Sequence, residues 1–240
     1  MPVQLFVTCL VNSLYPDVGK ATVALLERAG FEVEFPRDQT CCGQPAYNGG
    51  FHAEAGEQVR QTLDVLDATE GPIVVPSGSC AAMLIDHAPE LVAAEPEYSA
   101  KAARVAGRTR ELTQFLVAES GIDLGPVDCG RATYHASCHS LRWLDVLDQP
   151  KALLDGAGVE RVELDGEDEC CGFGGLFAIK SPEISAAMLH TKIDRIVASD
   201  AGVVTGVDVA CLMHISAGLR RRGVPIAVKH IAEVLAGSPE

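Results

Sequence analysis

The chain has 240 residues, and its formal net charge of −14 comes from 33 acidic against 19 basic side chains. Because binding to phosphate backbones needs a basic surface, this balance argues against a nucleic-acid partner. The length and the 48% of hydrophobic residues supply a core without disulfide bonds, which indicates a reduced, cytoplasmic protein. No apolar run approaches the roughly 20 residues of a membrane span, and no basic segment precedes the first apolar stretch. We therefore expect neither direct membrane insertion nor a signal peptide.

The first half of the chain alternates short apolar segments with longer amphipathic ones. The apolar segments predict strands, and the amphipathic segments have the period of helices. In chain order, the predictions are a strand at Val3–Val7, a helix at Asp17–Ala29, a strand at Phe31–Phe35, a helix at His52–Ala68, a strand at Ile73–Val75 and a helix beginning near Cys80.

The second half repeats this order. Its predicted elements are a strand at Ala132–His135, a helix through Lys151–Gly156, a strand at Arg161–Leu164, a helix at Pro182–Ala198, a strand at Val203–Thr205, a helix from Cys211 and a last strand at Ile226–Val228. Alternation of this kind is typical of parallel sheets covered by helices. We expect an α/β chain of two Rossmann-like βα repeats, residues 1–127 and 128–240, related by a pseudo-twofold axis.

Four cysteines occur twice with nearly the same spacing. The first set is Cys9, Cys41, Cys42 and Cys80, and the second set is Cys138, Cys170, Cys171 and Cys211. In both sets a vicinal pair follows the lone cysteine after 32 residues, and a glycine follows the pair. The members of each set follow the first, second and third predicted strands of their half. Since loops beyond the carboxyl ends of parallel strands meet at one edge of the sheet, the spacing predicts one pocket of four thiols per half.

Thiolates in a reduced protein favour zinc, Cu(I) or iron–sulfur clusters. Structural zinc sites commonly use C-x₂₋₄-C hairpins, and neither set contains one, since Ser77 and Asp208 stand three residues before the last cysteines. Adjacent cysteines bind different irons of a cluster more readily than one small ion. The geometry therefore favours a [4Fe–4S] cluster in each half, with Gly43 and the run Gly172-Phe173-Gly174-Gly175 bringing backbone N–H groups toward it.

These residues carry a resemblance. The patterns Cys9…Cys41-Cys42-Gly43…Cys80 and Cys138…Cys170-Cys171-Gly172…Cys211 resemble the duplicated cysteine-rich CCG domain. That domain occurs in heterodisulfide reductase B subunits and in the iron–sulfur subunits of glycolate oxidase and anaerobic glycerol-3-phosphate dehydrogenase. The compact length and the segment from Asp208 to Ile215 most resemble the lactate utilisation protein A family. The resemblance implies an electron-transfer role, with other iron–sulfur and accessory subunits, in the oxidation of L-lactate to pyruvate.

The chain departs from the heterodisulfide reductase pattern in one respect. Those subunits end each motif with C-x-x-C and hold a non-cubane cluster on five cysteines, whereas Ser77 and Asp208 replace the first cysteine here. We expect both residues to lie beside the clusters, since thiolate is the softer ligand, although a carboxylate oxygen can also bind iron. In related CCG proteins one half can hold zinc. A zinc-binding or thiol-based redox-sensing module and a heterodisulfide-reductase-like subunit remain the alternatives.

Other residues receive weaker interpretations. His135, His139 and His214 lie near the cysteines, where a histidine either donates to a cluster sulfur or belongs to the core or surface. Lys192 is expected to be solvated, and Cys129, outside the duplicated pattern, is given no role. Because no nucleotide-binding motif or catalytic constellation is visible, we expect a subunit that carries clusters and does not turn over lactate alone.

Overall fold

The computed structural model describes residues 1–119 and 121–237, and it has two four-stranded sheets in which every strand pair is parallel. The strand orders are β2-β1-β3-β4 and β6-β5-β7-β8, so the second half repeats the first. The predicted α/β class with two βα repeats is confirmed.

Within residues 1–119, the first half has four strands and eight α-helices. Its strands are β1 Val3–Leu5, β2 Val33–Glu34, β3 Ile73–Val75 and β4 Thr109–Glu111. Its helices are α1 Cys9–Leu14, α2 Pro16–Arg28, α3 Gln44–Asn48, α4 His52–Asp67, α5 Gly78–Ala82, α6 Ala88–Leu91, α7 Pro96–Arg108 and α8 Leu112–Glu119, with a π-helical turn at Met83–His87 between α5 and α6. Strand β3 is fully buried, as expected of a central parallel strand whose two faces are both covered.

The second half follows the same plan. Its strands are β5 Ala132–Tyr134, β6 Arg161–Val162, β7 Val203–Gly206 and β8 Ala227–His230. Its helices are α9 Cys138–Leu144, α10 Asp148–Gly156, α11 Phe177–Lys180, α12 Pro182–Ala198, α13 Val209–Arg221 and α14 Ile231–Ala236. Helix α12 begins with proline, carries Glu183 in its first turn and ends near Arg195, an order of charges that suits the helix dipole.

The halves pack on each other through reciprocal contacts. Helix α14 packs on α2, and its counterpart α8 packs on α10. Near the cysteines, α5 packs on α9 and α13 on α1. One apolar core spans both halves, with Leu25 and Leu112 from the first and Leu154 and Leu235 from the second. These contacts are those of two repeats related by an approximate twofold axis.

Every element predicted from the sequence lies within three residues of its observed ends. The sequence reasoning missed strand β4 and helices α1, α3, α6, α7, α8, α9, α11 and α14. The segment Thr109-Arg110-Glu111 has no apolar side chain, and so it gives no strand signal. It forms the edge of the first sheet, where Ile73, Val74 and Val75 pair with it. The predicted helix starts were late, since α5 and α13 each begin two residues before their cysteine.

Among the described residues, no helix combines the length and apolarity needed to cross a bilayer.

Candidate metal centres

The four thiols of the first set converge at the carboxyl edge of the first sheet. Cys9 opens helix α1 after strand β1, the vicinal pair lies in the loop after β2, and Cys80 lies in α5 after β3. The Sγ atoms of Cys9 and Cys41 are 3.8 Å apart, and those of Cys42 and Cys80 are 3.3 Å apart. All nine cysteines of the chain are free thiols. Residues far apart in sequence therefore form one group of sulfur donors.

The second set has the same placement on the second sheet. Cys138 opens helix α9, the vicinal pair follows β6, and Cys211 lies in α13 after β7. The Cys170 thiol is in hydrogen-bonding contact with those of Cys138 and Cys171, and the Cys171 thiol is in contact with that of Cys211. The structure thus brings together every cysteine of the second set.

The glycine after each vicinal pair is required by the backbone. Gly43 has a φ of +90° and Gly172 a φ of +89°, a region that side chains with a Cβ rarely occupy. An added Cβ would lie 3.1 Å from the Ala55 carbonyl oxygen in the first half and 2.7 Å from the Ser185 carbonyl oxygen in the second. The glycine lets the loop lie against helix α4 or α12, and this close approach fixes the position of the two preceding thiols.

The thiols in each set share protons unequally. Hydrogen bonds from Cys42 and Cys9 lower the pKa of Cys41 to about 3, and hydrogen bonds from Cys138 and Cys171 lower the pKa of Cys170 to about 2. The neighbouring thiols that donate these hydrogen bonds keep their protons. A metal binds cysteine as thiolate and displaces these protons, so each set is a ready group of soft donors.

His135 adds a nitrogen donor to the second set. Its side chain is buried, and neither ring nitrogen has a hydrogen-bond partner of good geometry in the described part of the chain, where the ring interacts only with the Glu167 backbone. A ring nitrogen of His135 and the Sγ atoms of Cys171 and Cys211 all lie within 4.8 Å of one another. Burial, with a smaller contribution from the Lys192 charge, lowers the pKa of His135 to about 3. The imidazole is therefore neutral and able to bind a metal through a lone pair.

His139 and His214 also lie near the cysteine set, but each has a further polar neighbour. His139 Nδ1 is 3.6 Å from the Cys138 Sγ, and its Nε2 is 3.5 Å from Gln44 of the first half. His214 Nε2 is 3.4 Å from the Ser185 hydroxyl oxygen, and its ring packs against Phe173. Burial lowers the pKa values of both histidines.

Asp208 joins the two sites. Its Oδ2 accepts hydrogen bonds from the Ser79 backbone N–H at 2.8 Å and the Ser77 hydroxyl at 3.3 Å. Its Oδ1 accepts from the Ala210 backbone N–H at 3.1 Å, which caps helix α13. The Gly78 N–H donates to the Val207 carbonyl at 3.2 Å. Both carboxylate oxygens are thus held by donors from the loops that carry Cys80 and Cys211.

A cavity of about 310 Å³ opens beside the first set. The second half supplies part of its wall through Phe173, Leu176 and Ile179. The first half supplies Cys9, Cys42 and Cys80, together with the polar side chains Thr8, Gln44, Ser77 and Ser79. No charged side chain lines it among the described residues. The first set therefore borders a largely uncharged space that is shared between the halves.

Lys192 and Cys129 are both removed from solvent, at least in part. Lys192 was expected to be solvated, which is wrong: its side chain is 1% exposed, and its Nζ donates to the Gly166 carbonyl at 2.5 Å. Sequence patterns missed this because the residue lies on the inward face of α12 beside Ile193 and Leu189. Cys129 is half-buried against the shared core, as expected of a small hydrophobic residue.

The donor sets fit an iron–sulfur cluster or zinc. Four sulfur donors per half match the usual cysteine ligation of iron–sulfur clusters, and the unpartnered nitrogen of His135 extends the second set to the mixed nitrogen and sulfur donors that zinc also uses. Hard oxygen-seeking cations such as Mg²⁺ and Ca²⁺ do not fit these donors.

Comparison with known proteins agrees with the geometry. The profile of the CCG cysteine-rich domain matches the chain twice, over residues 3–85 and 132–216. Each match contains one complete cysteine set. The domain is thus recognised independently in the two halves.

Full-length relatives are similar over nearly the whole chain. Lactate utilization protein A of Geobacillus kaustophilus strain HTA426 is 49% identical over 237 residues, covering 98% of this chain and 98% of the relative. Lactate utilization protein A of Shouchella clausii strain KSM-K16 is 46% identical over 237 residues, with the same coverage of both chains. A crystal structure of a hypothetical protein from Helicobacter pylori has a TM-score of 0.68 at 11% identity, covering 100% of this chain and 49% of that one. This last likeness concerns the fold alone.

Proposed function

Because the chain belongs to the lactate utilization protein A family, with its duplicated CCG cysteine-rich domain, we propose that it is an electron-transfer subunit of an oxidoreductase that converts L-lactate to pyruvate. The observation that carries this proposal is the convergence of four free thiols at the same sheet edge in each half. The proposed domains are residues 1–127 and 128–240, one around each set. The proposed location is the cytoplasm, where thiols stay reduced.

The proposed cofactor is one [4Fe–4S] cluster per half. Its ligands would be the eight duplicated cysteines, Cys9, Cys41, Cys42, Cys80, Cys138, Cys170, Cys171 and Cys211. When bound, such clusters supply one-electron transfer at a potential tuned by the surrounding hydrogen bonds and charges. The chain contributes the Gly172 N–H, which donates to the Cys170 sulfur at 3.3 Å, and the buried ammonium of Lys192. Zinc in the second half is the alternative that the His135, Cys171 and Cys211 group favours.

Lactate chemistry is assigned to another subunit. Oxidation of a hydroxy acid needs a general base and an acceptor for an electron pair. It also needs a positive group for the carboxylate, and the described cavity beside the first set has none. We therefore propose that partner iron–sulfur and accessory subunits bind the substrate and pass electrons to this chain. The charge of −14 favours docking on a basic or apolar face, with association weakened by salt where charge steers it.

Iron counting tests the proposed cofactor. Anaerobically reconstituted protein should contain several irons per chain, and Cys42→Ser and Cys171→Ser should each reduce the count to roughly that of one cluster by weakening only its own site. Cys129→Ser is the matched control, because that thiol lies outside both sets, and it should leave the count unchanged. A normally folded chain that binds no iron would contradict the proposal.

A turnover assay tests the proposed role. L-lactate oxidation with an artificial electron acceptor is measured for the metal-loaded chain alone and for mixtures with its partner subunits. We expect activity only in the mixture, with loss of activity when Cys171→Ser replaces the wild-type chain. Robust turnover by the isolated chain would show that the active site lies here and that the assignment to a partner is wrong.

A further inference from the structure

The position three residues before each set differs between the halves. Phe6 precedes Cys9 by three residues, and His135 precedes Cys138 by three. Phe6 is fully buried in the same apolar cluster as Cys42 and Cys80. His135 is 1% exposed, so burial is the same at both positions while the chemistry differs. An apolar side chain fits this position, and the second half has an imidazole there.

A buried imidazole without a partner is costly. Leaving a buried donor or acceptor without a hydrogen bond is unfavourable. Neither ring nitrogen of His135 has a partner of good geometry within residues 1–119 and 121–237, and the ring interacts only with the Glu167 backbone. The backbone is not free to turn the ring away, because the His135 N–H donates to the Thr205 carbonyl at 2.8 Å. Phenylalanine at this position would carry no such cost. A metal ion bound to a ring nitrogen would therefore stabilise the buried imidazole.

A ring nitrogen of His135 lies close to two of the sulfur donors. Its distances to the Sγ atoms of Cys171 and Cys211 are within 4.8 Å. Tetrahedral donors that share one zinc ion are separated by about 3.6–3.8 Å, given bonds of roughly 2.3 Å to sulfur and 2.1 Å to nitrogen. The three atoms, all within 4.8 Å of one another, are thus within about 1 Å of the spacing that one metal ion imposes. In the first half, the Phe6 ring supplies no donor to Cys42 and Cys80.

We propose that His135 is a nitrogen ligand of the metal centre at the second cysteine set, so that the two halves hold chemically different centres. The first centre has sulfur donors alone. In the second, His135 would replace one of the four cysteines on a [4Fe–4S] cluster, because each of the four irons takes one protein ligand, or it would share a zinc ion with Cys171 and Cys211. The iron–sulfur form of this inference rests on the proposed function. The ligand assignment itself does not, because zinc uses the same donors.

Pulsed EPR tests the assignment directly. Full-length chain containing ¹⁵N-labelled histidine is reconstituted anaerobically with iron and sulfide, and the nitrogen hyperfine coupling is measured in its paramagnetic state. We expect the strong coupling of a directly bound nitrogen in the wild type and its loss in His135→Phe. This variant copies the residue that the first half accepts at the same position. His190→Phe is the matched control, because His190 is exposed on the same half, and it should keep the coupling.

The strength of the nitrogen coupling in the wild type already tests the assignment, even if a variant does not fold. A coupling as weak as that of a hydrogen-bonded nitrogen, or a strong coupling that persists in His135→Phe, would overturn the assignment. Failure to bind any iron would contradict the proposed function instead, and a zinc titration against a chelator then tests the ligand. The wild type should bind zinc at the second set about 10-fold or more tightly than His135→Phe. Equal zinc affinities would overturn the assignment.

Discussion

The two cysteine sets share a backbone plan but differ in the side chains around them. Phe6, Leu10 and Met83 of the first half correspond to His135, His139 and His214 of the second, counted from the nearest cysteine of each set. The first set borders a cavity with no charged lining among the described residues, whereas the second is surrounded by imidazoles and a buried ammonium. Duplication has preserved the thiols, and the environment that tunes them has diverged.

The comparison extends to the helices behind the vicinal pairs. The Ala55 carbonyl faces Gly43, and the Ser185 carbonyl faces Gly172. Thr62 of α4 lies seven residues after Ala55, and Lys192 of α12 lies seven residues after Ser185, so the two positions are equivalent. The Thr62 hydroxyl donates to the Cys41 carbonyl at 3.2 Å, and the Lys192 ammonium donates to the Gly166 carbonyl at 2.5 Å. Both hold a loop near the thiols. Only the second adds a positive charge, which favours an electron-rich centre.

The largest expected effect concerns the seam between the halves, which is the contact of helix α5 with helix α9. Gly78 and Val209 each lie two residues before the last cysteine of their set. A Cβ at Gly78 would lie 1.7 Å from the Ser140 Oγ and 3.3 Å from its Cα, whereas Val209 packs with Val11, the counterpart of Ser140. Gly78→Val should cost about 3 kcal/mol of the free energy of unfolding, since the seam has no room for the side chain.

Urea denaturation measures this cost. Gly107→Ala is the control, because Gly107 lies in helix α7 with nothing within 4 Å of an added Cβ, and it should be neutral or stabilising by up to about 1 kcal/mol. If Gly78→Val unfolds at the same urea concentration as the wild type, the seam is looser than its contacts indicate.

The second expected effect is a dependence of stability on pH. It arises at the ends of strands β4 and β8, where Glu111 and His230 occupy equivalent positions. Glu111 pairs with Val75 and His230 with Gly206 in the sheet register. Each side chain caps the next helix: a Glu111 carboxylate oxygen accepts from the Thr113 N–H at 2.8 Å, and His230 Nδ1 accepts from the Ala232 N–H at 3.1 Å. Burial raises the pKa of Glu111 to about 7 and lowers the pKa of His230 to about 4.

These shifts give the two halves opposite dependences on pH. Folding favours protonated Glu111, so stability is lost as the pH rises from about 4.5 through 7. Folding favours neutral His230, so stability is lost as the pH falls from about 6.5 through 4. Each contribution is at most about 3 kcal/mol. Glu111→Gln should remove the loss toward high pH, and His230→Asn the loss toward low pH, in urea denaturation from pH 4 to 8 at constant metal content. Variants whose stability curves run parallel to the wild type would refute both assignments.

The smallest expected effect concerns the hydrogen bond behind the first vicinal pair. Thr62 is fully buried, and Thr62→Val leaves the Cys41 carbonyl without its hydroxyl donor, which should cost about 1 kcal/mol. Thr191→Val is the matched control, because Thr191 is exposed on α12, and it should change the free energy of unfolding by less than about 0.5 kcal/mol. Thermal unfolding that does not separate the two variants would show that Thr62 does not stabilise the loop.

Local patterns of the sequence were enough to predict the α/β class and most of its elements. Apolar runs such as Ile73–Val75 and the amphipathic segment Pro182–Ala198 encode burial directly, because a strand or helix that lacks an apolar face does not pack. The duplicated cysteine spacing predicted two groups of thiols at the sheet edges. That inference needs only the rule that loops after parallel strands meet at one edge.

Only the tertiary structure decided which polar side chains are buried and what they contact. The strand Thr109–Glu111 forms because β3 offers its backbone partners, and such pairing leaves no trace in a polar segment. Likewise, the burial of Lys192 and the link from Asp208 to the loop of the other half depend on residues distant in sequence. The position of His135 does too, since its N–H donates to the Thr205 carbonyl of strand β7. Hydrogen bonds and metal donors depend on distances of a few ångströms between separate elements, and these distances exist only after the elements have packed.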